Sequence, residues 1–279
     1  MKKFSTFRQA IADAGLCLRD LSHFVHSDRW QGMNIKSKPE MAMYEVLNYS
    51  FQAPMATRDL DVFRDQIEPN LPWADRHFEE ERVSGHPINP GETWKIWPWS
   101  HSADKFRTEG EQFNHSYAER YWPKYAGIYP GGRLPESVSE YPRQGIRYRY
   151  ADLNDLIDHL VGDPLSRQAY LPVWFPEDGS HNDRKPCTIG YHFIQRAGYL
   201  HIVYQLRSCD YFRHFRDDIY LTVRLLLWVL DRLGERDKTW KSVIPGIYTM
   251  HITSLHLFKN DYRQLFGKEH ASQARQKSR

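Results

Sequence analysis

One stretch, residues 185–233, constrains the fold of this 279-residue chain more than any other part of the sequence. Residues 188–195 and 200–206 are rich in β-branched and aromatic side chains, and the Arg-Ala-Gly sequence between them is typical of a tight turn. Residues 217–232 then repeat as a helix that is apolar on nearly all sides. The pattern predicts a β-hairpin followed by a central, buried helix.

The predicted hairpin brings reactive side chains together. Cys187 precedes its first strand, and the Arg-Ser-Cys-Asp sequence of residues 207–210 follows its second. These two points lie at the same end of a hairpin, so the thiol and the polar cluster are expected to be neighbours. Positive charge from Arg184, Lys185 and Arg207 would favour a thiolate. We therefore predict a nucleophilic cysteine, against the alternative of an inert buried thiol.

Composition limits the class of protein. A formal charge of +3 is small for this length and does not indicate a nucleic-acid partner. Three cysteines without a CxxC pair indicate neither a disulfide framework nor a metal site. No apolar window reaches the roughly 18 residues of a membrane span. We expect one catalytic domain over residues 1–267 and a basic, disordered tail over 268–279, in a cytoplasmic protein that uses no metal and no membrane.

Four short motifs together resemble the thymidylate synthase family. They are DPLSR at residues 163–167, Pro-Cys at 186–187, YQLRSCD at 204–210 and SLH at 254–256. Their order and spacing are similar to those of the family over roughly residues 28–261. The resemblance implies an α/β (α+β) fold with a large mixed sheet packed by helices, and a homodimer in which two sheets pack face to face.

The resemblance also implies a role for each matching residue. Cys187 would add to C6 of a pyrimidine ring, so that C5 can attack the methylene group of 5,10-methylenetetrahydrofolate. Tyr117 matches an active-site tyrosine of the family. The remaining matches would bind the nucleotide. The phosphate would be bound by Arg207, Ser208, Arg29 and the partner subunit's copy of Arg167. The backbone of Asp210 would bind the base, and His256 would bind the sugar. For Arg29, an ordinary surface ion pair is an equally good interpretation.

One departure from the family pattern predicts the base. Eight residues after Asp210 the family has an asparagine that pairs with uracil, whereas this chain has Asp218. Cytosine presents an N4 donor and an N3 acceptor, so a carboxyl that accepts from N4 and shares a proton with N3 is complementary. Asp218 and the PGET sequence of residues 90–93 resemble the deoxycytidylate hydroxymethylases. Asp218 could instead stabilise a helix N-terminus, a role that Asp217 could also take.

A glutamate is a further part of the resemblance. The family uses one, on a helix before an aromatic segment, to move protons and position water. Glu79, Glu80 and Glu81 all lie there, and we favour Glu79 while keeping Glu81 open. Residues two apart on a helix point in different directions, so only one of this pair is expected to act.

Two more departures concern the phosphate and the sugar. Gln168 stands where the family usually has a second arginine, so a less positive phosphate site is expected. Phe258 stands where the family has a tyrosine that reaches the 3′-hydroxyl, which leaves the sugar open. We therefore predict transfer of the folate methylene to C5 of dCMP or CMP with addition of water, giving 5-hydroxymethyl-(d)CMP and tetrahydrofolate. The alternatives are a C5-methyltransferase that forms 5-methyl-dCMP or dTMP, and a non-catalytic nucleotide-binding homologue.

Overall fold

A computed structural model describes residues 1–104, 107–108, 111–123, 151–179 and 184–276. Its strands are β1 (Lys2–Lys3), β2 (His23–Val25), β3 (Arg29–Trp30), β4 (Met33–Asn34), β5 (Met43–Pro54), β6 (Tyr170–Pro172), β7 (Thr188–Arg196), β8 (Tyr199–Asp210) and β9 (Ile244–Phe258). Its α-helices are α1 (Phe7–Leu21), α2 (Leu60–Ile67), α3 (Trp73–Arg76), α4 (Ser100–Ala103), α5 (Tyr117–Tyr121), α6 (Leu153–Gly162), α7 (Phe215–Arg236) and α8 (Lys259–Gln276). A π-helix, His77–Arg82, continues α3.

Seven strands form one mixed sheet in the order β1-β5-β9-β8-β7-β6, with β2 paired to the end of β5. The β8–β9 and β1–β5 pairs are parallel, and the other pairs are antiparallel. This large mixed sheet with packed helices confirms the predicted α/β fold class.

The two faces of the sheet differ. Along β8 the side chains of Leu200, Ile202, Tyr204 and Leu206 are buried, while the residues between them are partly open. The buried face packs against α1 and α7, and α7 is buried along most of its length, as its apolar sequence predicts. The opposite face leaves Leu47, Ile189 and Tyr199 exposed. Among the described elements, the contacts of α1 and α7 with the sheet are therefore on one side of it.

The hairpin of β7 and β8 is present as predicted, but its second strand is longer. β8 continues through Asp210 because the parallel strand β9 supplies backbone partners up to the Asp210–His256 pair. The Arg-Ser-Cys-Asp sequence thus lies within the strand and not after it. The pairing brings His256 beside Asp210, although 46 residues separate them in sequence.

Helix α8 passes the predicted domain boundary with a break at Gly267, whose φ of 75° lies in the left-handed region. The assignment of residues 268–279 as a disordered tail stays a prediction. Within the described ranges, no helix combines the length and apolar character needed to cross a bilayer.

Candidate active site

A cleft of about 890 Å³ lies at the end of β8 and β9. Most of the residues predicted from the sequence line it: Arg29, Glu81, Tyr117, Cys187, Arg207, Ser208, Asp210, Asp218 and His256. Two predicted residues, Glu79 and Arg167, are not among its walls. The topology therefore brings together side chains from widely separated parts of the chain.

Arg207 fixes the position of the nucleophile candidate. Its backbone N–H donates to the carbonyl of Cys187 (2.9 Å), which joins the two ends of the hairpin. Its guanidinium donates through Nε to the carbonyl of Pro186 (2.8 Å) and through Nη2 to that of Lys185 (3.0 Å). The cysteine is half-buried at the wall of the cleft. Arg207 thus holds the chain around Cys187 while its charge stays within the cleft.

The folded structure acts on the Cys187 thiol in opposing directions. Burial raises the pKa of the Cys187 thiol, and the carboxyl groups of Asp218 and Asp210 raise it further. Arg207 and Arg184 lower it but do not compensate. Arg207 and Arg184 act in the predicted direction, but desolvation and two acids that are distant in sequence outweigh them.

Two adjacent carboxyl groups on the first turn of α7 have different environments. Asp217 is buried, and it accepts hydrogen bonds from the backbone N–H (2.8 Å) and the side-chain amide (2.7 Å) of Asn70. Asp218 lines the cleft, and its Oδ2 accepts a weak hydrogen bond from the Cys209 thiol at 3.4 Å. A hydrogen bond from Tyr204 also lowers the pKa of Asp218. Asp217 therefore has a structural partner, whereas Asp218 is open to a ligand.

Burial, together with the neighbouring Asp217, raises the pKa of Asp218 to about 7. The Arg82 guanidinium and the Cys209 hydrogen bond oppose this rise. Near neutral pH a large fraction of Asp218 consequently carries a proton. A carboxyl in this state can donate one hydrogen bond and accept another.

Of the two glutamates considered from the sequence, Glu81 is the one that lines the cleft. Its Oε1 accepts from the backbone N–H groups of Glu92 (2.9 Å) and Thr93 (2.7 Å), and its Oε2 accepts from His77 Nδ1 (2.8 Å). A Cβ atom at Gly91 (φ 75°) would overlap the Glu81 carboxylate. The PGET sequence of residues 90–93 thus forms a cradle for this side chain. Although burial acts to raise the pKa of Glu81, the His77 and Thr93 hydrogen bonds hold it below its usual value.

Glu79 points away from the cleft. Its side chain is 65% exposed and pairs with Arg224 at 2.6 Å. The structure therefore places Glu81, and not the favoured Glu79, at the cleft, because residues 79 and 81 lie on different sides of the π-helix.

Arg82 and His77 are cleft residues that the sequence analysis missed. Arg82 is only 4% exposed; its Nε donates to His77 Nε2 (3.0 Å) and its Nη1 to the Tyr121 hydroxyl (3.3 Å). Its guanidinium carbon lies 4.3 Å from the centroid of the Tyr117 ring. An arginine that follows three glutamates in sequence is ordinarily a surface ion-pair partner, so no sequence signal identified it.

The nucleotide-binding candidates lie along β8, β9 and β3. Ser208 Oγ is 3.4 Å from His256 Nδ1. The Asp210 carboxylate accepts from the backbone N–H groups of Phe212 and Arg213 and from Arg213 Nη1 (2.8 Å). This side chain is occupied by the turn, so recognition of a base would fall to its backbone. Arg29 is exposed at the rim of the cleft.

Aromatic side chains and hydroxyl groups complete the cleft. The Tyr117 hydroxyl lies 3.0 Å from Thr188 Oγ1, which lies 2.8 Å from the Tyr204 hydroxyl. The walls also carry the flat rings of Trp73, Trp94, Trp97, Trp99 and Trp174. Such walls suit ligands with planar ring systems.

The family model for thymidylate synthase matches residues 89–276, which are 188 of the 279 residues. The chain belongs to the thymidylate synthase family. The predicted resemblance to this family is thereby confirmed.

Curated relatives and solved structures agree with this membership. Candidate thymidylate synthases from Methanosarcina barkeri and Methanosarcina acetivorans are 27% and 29% identical to the chain over 107 residues. Each alignment covers 38% of this chain and 46% of the relative, so the match spans about half the length of these relatives.

In fold, the chain is similar to thermostable thymidylate synthase A from Bacillus subtilis, with a TM-score of 0.62 and 13% identity over 91% of this chain and 80% of that one. It is also similar to thymidylate synthase from T4 phage, with a TM-score of 0.56 and 15% identity over 94% of this chain and 79% of that one. At these identities the two structures support the fold of the family.

Proposed function

We propose that this member of the thymidylate synthase family is a folate-dependent C5-hydroxymethyltransferase that acts on dCMP or CMP. The observation that carries the proposal is the Asp218 carboxyl, which lines the cleft with Cys187 and has a pKa raised to about 7. A protonated carboxyl can donate to N3 of cytosine and accept from the N4 amino group. An asparagine amide at this position would instead offer the pattern that pairs with uracil.

In the proposed reaction the sulfur of Cys187 bonds to C6 of the ring, which makes C5 nucleophilic. Arg207 maintains the position of the cysteine through the two carbonyl groups that precede it. The folate co-substrate supplies a one-carbon unit at the oxidation level of formaldehyde. Glu81, which is ionised and held by two backbone N–H groups, is suited to position the water that completes the hydroxymethyl group.

The lining of the cleft fits a folate. The Trp94 and Trp99 side chains line the cleft and are suited to contact a pterin. The cleft volume of about 890 Å³ lies within the usual range for small-molecule sites, and it suits a nucleotide with part of a folate. Phe258, whose ring lies 5.8 Å from that of His256, offers no hydroxyl to a sugar, so dCMP and CMP are both tested below.

We also propose a homodimer in which Arg167 serves the cleft of the partner subunit. Arg167 is exposed on the loop between α6 and β6 and lies outside the cleft of its own chain. The uncovered face of the sheet, with Leu47, Ile189 and Tyr199 exposed, offers an apolar surface for a second copy. Mixing inactive Cys187→Ala with Arg167→Ala should restore about a quarter of the activity through hybrid dimers, whereas independent sites would restore none.

A mass-resolved assay tests the reaction. The protein is incubated with 5,10-methylenetetrahydrofolate and with dCMP, CMP or dUMP, using Cys187→Ala as the matched control. The proposal predicts a hydroxymethyl adduct on a cytosine nucleotide together with tetrahydrofolate. A methyl adduct with dihydrofolate would identify a C5-methyltransferase, and an absence of any adduct would leave a nucleotide-binding homologue.

A further inference from the structure

His77 lies in the wall of the cleft between two charged side chains, Arg82 and Glu81. Its Nε2 accepts a hydrogen bond from Arg82 Nε at 3.0 Å, and its Nδ1 is 2.8 Å from Oε2 of Glu81. A guanidinium donates and never accepts, so Nε2 must supply a lone pair. The imidazole is therefore neutral with its proton on Nδ1, from which it donates to Glu81.

The surroundings fix both the ring and the arginine. The imidazole stacks on Trp73 at a centroid distance of 5.0 Å and an interplanar angle of 11°. Arg82 is only 4% exposed, donates through Nη1 to the Tyr121 hydroxyl (3.3 Å), and lies with its guanidinium carbon 4.3 Å from the centroid of the Tyr117 ring. The donor to Nε2 is thus held in place by packing, and the proton on Nδ1 is held with it.

Both oxygens of the Glu81 carboxylate receive hydrogen bonds. Oε1 accepts from the backbone N–H groups of Glu92 and Thr93, and Oε2 accepts from His77. The Thr93 side chain is a further hydrogen-bond partner of this carboxylate, and its hydroxyl lies 3.1 Å from His77 Nδ1. The backbone donors orient Oε1, whereas the orientation of Oε2 depends on side chains. Among them, His77 makes the 2.8 Å contact.

We infer that His77 is a positioning residue for Glu81: it holds Oε2 with one proton fixed on Nδ1, and Arg82 keeps that proton there. The inference deepens the proposed function and rests on it for the action of Glu81 on water. His77 acts through Glu81 and does not touch the substrate in this account. It neither gains nor loses a proton, so the step needs no additional reactant.

A locked, neutral donor differs from an ordinary histidine, which gains a proton near pH 6.5. Protonation of Nε2 would break the hydrogen bond from Arg82 and place two cations in direct contact. Burial lowers the pKa of His77, in agreement with the neutral ring. A proton that Glu81 takes from water therefore stays on Glu81 and is not passed to His77.

Other charged and titratable groups surround this chain of hydrogen bonds. Arg76 and Glu80 act on Glu81 from the same helical segment, and they pair with each other at 2.7 Å. Burial raises the pKa values of the tyrosines that face Arg82, so they stay neutral near pH 7. These tyrosines are Tyr117, Tyr121, Tyr191 and Tyr204, and the acids on whose pKa Arg82 acts are Asp217 and Asp218 of α7.

The first test observes the proton of His77 in the wild-type protein without any substrate. Imidazole ¹⁵N resonances of histidine-labelled protein are recorded between about pH 5 and pH 8, and the His77 signals are those absent from His77→Asn. Nδ1 should carry the proton and Nε2 should stay unprotonated throughout. A proton on Nε2, in the neutral or the charged ring, would overturn the inference.

The second test titrates Glu81, also without substrate. Carboxyl ¹³C resonances of glutamate-labelled protein are followed against pH, and the Glu81 signal is assigned from Glu81→Gln. His77→Phe removes a donor to the carboxylate, so the Glu81 midpoint should rise by about one pH unit. His77→Asn, whose amide N–H can replace Nδ1–H, should give less than half of this rise. An unmoved midpoint in folded His77→Phe would contradict the inference.

The same two variants separate positioning from packing in turnover. Phenylalanine keeps a ring to stack on Trp73 but has no donor, whereas asparagine keeps a donor but has no ring. His77→Phe should lower kcat about 10-fold or more with dCMP binding within about threefold of the wild type, and His77→Asn should recover most of the loss. The reverse order, with His77→Asn the slower variant, would show that the ring serves packing and would refute the positioning role.

The outcomes distinguish this inference from the proposed function. A fixed Nδ1–H proton and a shifted Glu81 midpoint, in a protein that hydroxymethylates no nucleotide, would keep the His77–Glu81 link and overturn the proposed function. Hydroxymethylation of a cytosine nucleotide together with an unmoved Glu81 midpoint would keep the proposed function and overturn the role of His77.

Discussion

Two carboxyl groups near α7, Asp75 and Asp218, are both partly buried close to arginine side chains, but their pKa values shift in opposite directions. Asp75 accepts from Arg64 (2.7 Å), Arg224 and the Tyr220 hydroxyl (2.7 Å), and these donors lower its pKa although burial acts to raise it. Asp218 has the Cys209 thiol and Tyr204 as its hydrogen-bond partners, and burial raises its pKa to about 7.

The difference separates a stabilising cluster from a reactive site. Every charge around Asp75 has a partner in the folded protein, so the cluster favours folding. Asp218, Arg82 and Cys187 line one cleft, and among the described residues neither Asp218 nor Arg82 forms an ion pair, which costs stability. Unpaired groups of this kind are available to a substrate. Variants in the cleft should therefore change chemistry, and variants in the cluster should change stability.

The largest expected effect is on turnover in Cys187→Ala. Loss of the nucleophile should reduce kcat by about 10⁴-fold or more, while dCMP binding stays within about threefold of the wild type. Single-turnover assays and equilibrium binding measure the two quantities. Cys17→Ala, a change of a buried thiol on α1, is the control and should keep wild-type activity. Near-normal turnover by Cys187→Ala would remove the nucleophile from the proposal.

Glu81→Gln and Glu79→Gln form the next pair. Glu81→Gln should reduce kcat by about 10²-fold or more, because a neutral amide cannot take a proton from water. Glu79→Gln loses only an exposed partner of Arg224 and should change kcat by less than about twofold. Steady-state kinetics at saturating folate measure kcat for both variants. Equal effects of the two changes on kcat would count against the assignment of Glu81.

Asp75→Asn tests the stabilising cluster. It should lower the free energy of unfolding at pH 7 by about 2 to 3 kcal/mol, since it leaves Arg64 and Arg224 with an uncharged partner. The folded-state pKa lies below the ordinary value of 3.8, so this contribution is present above pH 4 and is lost as the pH falls through the folded-state pKa. Urea unfolding at pH 7 and pH 3 measures the change, which should shrink at the lower pH. A large fall in kcat with unchanged stability in Asp75→Asn would show that Asp75 serves the reaction and not the stabilising cluster.

Asp218→Asn should change the free energy of unfolding in the opposite direction to Asp75→Asn. Its pKa is about 7 in the folded chain and near 3.8 when unfolded, so its unfavourable contribution appears as the pH rises from about 4 to 7. The amide should therefore stabilise the protein by about 1 to 2 kcal/mol at pH 8 and by little at pH 4. The preference between dCMP and dUMP should also shift about 10-fold or more towards dUMP. Unchanged dCMP turnover would exclude Asp218 from reading the base.

Local sequence patterns predicted most of the fold and many residues of the candidate active site. The hairpin of β7 and β8 and the buried helix α7 follow from periodicity and apolar content, and they bring Cys187 and Arg207 together without knowledge of the remaining fold. Spacing within one motif, from Asp210 to Asp218, identified the carboxyl that faces the cleft. These features depend on residues that are close in sequence.

The sequence by itself determined the family resemblance, the nucleophile candidate and the acidic character of position 218. Only the tertiary structure decided that Glu81 and not Glu79 lines the cleft, that Arg82 is a buried cation, and that burial raises the pKa of the Cys187 thiol. The physical reason is that burial and electrostatic energy sum over groups from distant segments. A sequence pattern reports which groups exist, whereas their charge states depend on which segments the fold brings together.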